Sequence, residues 1–69
     1  MTDVNALREV IKGAGVTITF LAKKLGLTRE CLYQKMRGES EFKASEIVLL
    51  AQVLHLDSEM RDQIFLHNG

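Results

Sequence analysis

At 69 residues the chain is one domain at most, and its composition points to helices: 46% hydrophobic residues, no Pro, no Trp, three Phe and one Tyr. A core built from Leu, Ile, Val, Ala and Met must be dense, with short connections. Nine Lys plus Arg balance nine Asp plus Glu, and zero net charge alone argues against a nucleic-acid partner, because phosphate contacts supply most of that affinity.

Residues 1–69 read as five short helices. The first runs from about Asp3 to Gly13, with Val4, Leu7 and Ile11 on one face and Val10 beside them; Gly13 and Gly15 stop it. Thr17 is an N-cap for the second, in which Leu21, Ala22 and Leu25 form the apolar stripe. Val16 is placed to staple against Leu21, and Gly26 ends the helix. The third restarts at Thr28, another N-cap, buries Leu32 and Met36, and closes at Gly38. Beyond the polar turn Glu39-Ser40-Glu41, Phe42 anchors the chain to the core. A fourth helix over about Ala44 to Leu54 buries Ile47, Leu50, Ala51 and Leu54, the run Ile47 to Ala51 being read as a buried face. His55-Leu56 connects to a fifth helix, capped by Asp57, whose Met60, Ile64 and Phe65 face inward.

Several function classes find no support in these residues. Cys31 is the only cysteine, which excludes an intramolecular disulfide and a stapled secreted scaffold. No signal-peptide pattern opens the chain, and no apolar run approaches the roughly 18 residues of a membrane span, so a reducing cytoplasm is expected. His55 and His67 lie on different elements, with no Cys/His spacing of a metal site. Ser40, Ser45 and Ser58 read as turn and cap residues, and no Gly-rich phosphate loop is present. Neither catalysis, nor a cofactor, nor a small-molecule substrate is expected.

The charge is unevenly spread. Residues 17–37 carry Lys23, Lys24, Arg29, Lys35 and Arg37 against Glu30, a net of +4, whereas residues 38–69 carry six acidic residues against Lys43 and Arg61, a net of −4. A short positive segment is what a one-sided DNA reader requires. In the same segment, Ala22 suits a close helix crossing, Gly26 a tight turn with φ > 0, and Leu21, Leu25, Leu27 and Leu32 the wedge between the helices. Arg29, Glu30, Tyr33, Gln34 and Arg37 are left outside, on a helix able to enter a major groove.

At these residues the chain resembles the Cro and repressor family of phage helix-turn-helix proteins. Leu21-Ala22-x-x-Leu25-Gly26-Leu27-Thr28-Arg29, then Leu32-Tyr33 and Met36-Arg37-Gly38, are close to the family pattern, and Phe42-Lys43-Ala44-Ser45-Glu46-Ile47 with Leu54-His55-Leu56 extends the likeness over residues 5–66. The resemblance implies an all-α, five-helix, lambda-repressor-like DNA-binding domain with its helix-turn-helix at about residues 17–37. It implies base reading by Thr28, Arg29, Glu30, Tyr33 and Gln34, since Arg can grip guanine and Gln adenine. Phosphate contacts then fall to Thr17, Thr19, Lys23, Lys24, Lys35, Arg37 and Lys43. Double-stranded DNA is the implied partner, in transcriptional regulation by a phage or mobile-element repressor. A homodimer on a palindromic operator would raise affinity, with Leu66, Phe20 and Val53 as contributors. The chain departs from the family pattern at Ile18, where relatives often carry Gln, at Phe20, and in the acidic loop of Glu39 and Glu41. Neutral net charge, Ile18 and the acidic loop favour the alternative, a protein-interaction module such as an antirepressor or accessory phage protein that kept the fold without DNA binding.

Overall fold

Side-chain acceptors start four of the five helices. Asp3 accepts from the Ala6 N–H, Thr17 from Phe20, Thr28 from Cys31 and Asp57 from Met60, at 2.8–3.1 Å. Each satisfies one of the amide donors that a helix leaves free in its first turn. The computed structural model describes residues 2–66. Its elements are α1 (Val4–Ala14), α2 (Ile18–Leu25), α3 (Arg29–Met36), α4 (Ala44–Val53) and α5 (Ser58–Phe65), with no strand among the described residues. They form a compact all-helical globule of 27 × 24 × 20 Å. No helix is long and apolar enough to cross a membrane among the described residues.

Two boundaries differ from the sequence reading. Helix α1 continues through Gly13 to Ala14 and ends at Gly15, whose φ of 71° supplies the left-handed cap that Gly13 does not. Helix α4 stops at Val53, and His55 adopts φ 55° in the connector, the only described non-glycine with positive φ. The Leu56 N–H then reaches the Ala51 carbonyl at 2.9 Å, so a histidine stands in a turn normally left to glycine.

The core takes one fully buried leucine from each of four helices: Leu7, Leu21, Leu32 and Leu50. Ile11, Ala22, Leu25, Met36, Leu54 and Ile64 surround them, and Phe42 meets Phe65 edge-on at 5.6 Å. Burying each large side chain contributes roughly 1.5–3 kcal/mol, which is how a short chain offsets its ordering entropy. The Asp3 N–H donates to the Ile64 carbonyl at 2.6 Å and ties the start of α1 to α5.

Three apolar assignments change. Met60 is 42% exposed, on the rim of an open depression that it shares with Ala6 and Val10 of α1. Ile47 and Ala51 are half-buried, while Val48 and Leu49 within the same run are exposed. Five consecutive apolar residues on a helix span more than one face, so the run cannot all be buried against one core. Val53 packs on the core and is not a free contact residue.

Candidate functional site

The site is organised by the joint between α2 and α3. The last turn of α2 ends at Gly26, with φ 70°, where a side chain would be strained. Its N–H donates to the Lys23 carbonyl at 3.2 Å, and the Leu27 N–H donates to the Ala22 carbonyl at 2.9 Å. This paired closure engages two of the carbonyls at the end of α2 and turns the chain within Gly26, Leu27 and Thr28, so that α3 can start at Arg29. Leu21, Ala22, Leu25 and Leu32 are buried in the joint and Leu27 packs partly against them.

Packing one side of α3 decides what its other side offers. At 100° per residue, Arg29, Glu30, Tyr33, Gln34 and Arg37 fall within about 140° of the helix surface. Arg29, Glu30, Tyr33 and Arg37 are exposed and Gln34 is half-buried. Thr28 caps the helix beside them; its hydroxyl accepts the Cys31 amide at 3.1 Å and keeps its own hydrogen free to donate. Thr17 has the same arrangement at the start of α2, with Phe20 as the amide donor. Cys31, also on α3, is a free and exposed thiol.

The positive charges divide into two groups. Lys23 and Lys24 on α2 and Arg29 on α3 are exposed and take part in none of the three ion pairs found among the described residues. Lys24 lies 5.5 Å above the exposed ring of Phe20, which gives that ring a role outside the core. Ile18 packs partly on the core, and Thr19 is exposed.

Lys35 and Arg37 are differently employed. Lys35 points away from the outward face of α3, and its ammonium bonds the Glu46 carboxylate of α4 at 3.1 Å and the Glu41 carbonyl at 2.9 Å. Both side chains are nearly buried, 11% exposed for Lys35 and 7% for Glu46. The ammonium also sits 5.9 Å above the Phe42 ring. Glu46 accepts in addition from the Lys43 N–H at 2.8 Å, which secures the start of α4 where Lys43 has no side-chain acceptor to offer. Lys35 is thus built into the joint between α3 and α4 and departs from the expected phosphate set. Arg37 donates to Glu39 at 2.6 Å, an exposed pair. That hydrogen bond holds the guanidinium above its ordinary pKa and the Glu39 carboxyl below its own.

The structure thus places Arg29, Glu30, Tyr33 and Gln34 within one arc of α3 with Thr28 as its N-cap, and leaves Thr17 as the exposed cap of α2, Thr19, Lys23 and Lys24 exposed on α2, and Lys43 exposed at the start of α4. Glu46 is the residue that sequence reading missed. Its signal was present: it lies one turn before Leu50 on the inner face of α4, and three residues after Lys43, the spacing of a capping glutamate. His67 lies outside the described residues.

No family model matches the chain, and neither a curated protein nor a solved structure matches it.

Proposed function

We propose that the chain is a sequence-specific DNA-binding domain of the lambda-repressor-like type, with α2 and α3 as its helix-turn-helix. In this role it regulates transcription as a phage or mobile-element repressor. The observation that carries this reading is the joint at Ala22, Gly26 and Leu27, which leaves Arg29, Glu30, Tyr33 and Gln34 together on the outward face of a short helix. A helix with one packed side and a polar side fits the major groove, where Arg29 would read guanine and Gln34 adenine, with Thr28, Glu30 and Tyr33 beside them. Lys23, Lys24 and Lys43 would meet phosphates, and Thr17 and Thr19 would donate to them. The reading needs no cofactor and no catalytic step.

Charge engagement sets the expected strength. With Lys35 inside the fold and Arg37 on Glu39, three lysines remain for phosphate, giving a salt slope of about −2.7 per domain. Affinity should then fall about 40-fold between 50 and 200 mM salt. The test is a salt series on random-site duplex DNA with wild type and Arg29→Ala. A recurrent selected site, this slope, and relaxed base preference in the mutant support the reading. Absence of binding at low salt, with helicity retained, refutes it.

The same engagement favours one second reading, a protein-interaction module on the same fold. Binding to a protein partner that is insensitive to salt, without DNA binding, would select it.

A further inference from the structure

Where α1 meets α5, the two helices leave an open depression of about 480 Å³, lined by no residue of α2, α3 or α4. Ala6 and Val10 of α1 and Met60 and Leu66 of α5 and its end give it an apolar lining, and its charged residues are Asp3 and Asp62. Leu66 is 61% exposed, the highest value among the large apolar side chains. Charge is sorted around this depression. At 100° per residue, Glu9 falls about 60° from Ala6 on α1, whereas Arg8 and Lys12 fall about 160° and about 120° from it. On α5, Glu59 falls about 40° from Gln63, which also lines the depression, and Arg61 about 160° from it. Glu9 and Glu59 are exposed. Both helices thus turn carboxylates toward the depression and bases away from it. The Asp3 Oδ1 accepts from the Ala6 N–H at 3.1 Å, and the Asp62 Oδ1 is the oxygen that Arg61 meets. Among the described residues, each keeps its second oxygen for an outside donor.

We propose that this depression seats a basic segment of a protein partner, with one apolar side chain of the segment entering beside Met60 and Leu66 and flanking Lys or Arg residues meeting the carboxylates. The charge around the depression identifies the occupant. Asp3, Glu9, Glu59 and Asp62 repel nucleic acid and acidic proteins, and they attract and orient a cationic segment. The apolar lining asks more of that segment than charge alone, because exposed ion pairs supply little affinity and buried apolar area supplies most of it. Met60 suits such a seat, since its unbranched thioether adapts to the shape of what enters. No residue of α2 or α3 takes part, so a chain that reads DNA through α3 could hold this partner without releasing the duplex.

The proposal does not depend on DNA reading, and it is tested without DNA. The probe is a synthetic peptide in which one leucine is flanked on each side by a pair of arginines, titrated into the isotope-labelled chain and followed by amide NMR. The amides of Ala6, Val10, Met60 and Gln63 should shift saturably, with a dissociation constant below about 1 mM. The same peptide with glutamate for arginine, or with glycine for leucine, should bind at least about tenfold more weakly. Glu59→Gln with Asp62→Asn, and separately Met60→Ser, should each weaken the arginine peptide by about fivefold or more. These positions are exposed, so far-UV circular dichroism should show unchanged helicity. No shift at millimolar peptide overturns the proposal, as do shifts that map to α2 and α3 or binding indifferent to the substitutions. Shifts of the same amides on dilution without peptide would give the depression to a second copy of the chain and overturn it equally.

Discussion

Replacing Lys35 with Met removes the ammonium from the α3–α4 joint and leaves the Glu46 carboxylate nearly buried without its counter-ion. At 3.1 Å and an effective dielectric near 20, the direct attraction is about 5 kcal/mol. Withdrawing both charges from water cancels most of that, so the intact pair adds little net stability. Breaking it is another matter: an uncompensated buried charge costs about 3–5 kcal/mol. The Lys43 N–H still serves Glu46, which places the expected loss near 3 kcal/mol. For a domain of 69 residues, stability is roughly 3–10 kcal/mol, so Lys35→Met should unfold at a much lower urea concentration and be partly unfolded in the weakest case. Lys35→Met with Glu46→Leu should recover to within about 1 kcal/mol of wild type, because removing both charges removes the desolvation and leaves only the lost helix start. Urea unfolding followed by circular dichroism measures both. The folded double variant also separates a joint-building lysine from a phosphate contact: its salt slope on DNA should equal that of the wild type. A single variant costing under about 1 kcal/mol, or a slope smaller by about 0.9 in the double variant, would refute the assignment.

Three further substitutions test features that the sequence alone did not reveal. Glu39→Gln releases Arg37, so DNA affinity at low salt should rise and the salt slope should steepen by up to about 0.9; an unchanged slope means that Arg37 does not reach phosphate. Because the Arg37 hydrogen bond depresses the Glu39 pKa, the pair's small stabilisation is fully present above the ordinary glutamate value and is lost as pH falls through the lowered one. Carboxyl titration by NMR should accordingly show a Glu39 midpoint below 4.5, and in Arg37→Gln a return toward it. His55→Gly relieves a left-handed histidine, a gain of about 0.5–1 kcal/mol after the extra chain entropy of glycine, seen as a Tm higher by roughly 2–6 °C; a lower Tm would show that the imidazole stabilises the connector.

Most of the fold was legible because local chemistry and global packing agree along most of the chain. Thr17, Thr28 and Asp57 each combine a capping side chain with an apolar period that begins directly after it, and all three helices start where those signals coincide. Gly26 likewise marks a turn that no other residue type would enter freely. The boundaries that moved are those where one signal was duplicated or missing. Gly13 precedes Gly15 with nothing in the local sequence to choose between them, and the turn that follows α4 passes through a histidine that ordinary preferences keep out of the left-handed region. Met60 was misplaced because helical period says which residues share a face, not how much of that face a neighbour covers, and the Ile47–Ala51 run because five consecutive residues span more than one face.

The outward face of α3 was legible for the same reason that its charge was misjudged. Periodicity places Arg29, Glu30, Tyr33 and Gln34 opposite Leu32 and Met36, and there they lie. Summing charge along residues 17–37 ignores that periodicity and credits Lys35, only 60° from Leu32 at 100° per residue, to a surface it does not occupy. Its partner lies eleven positions on, at Glu46, in a segment whose acidity seemed to stand apart from the basic one. The two charge blocks are therefore not independent. Glu46 neutralises Lys35 inside the fold and Glu39 holds Arg37 outside it, so the acidic half sets how much positive charge the basic half can present. On the proposed DNA-binding reading, specificity would then rest on the few outward side chains of α3, because so little positive charge is left to grip phosphate.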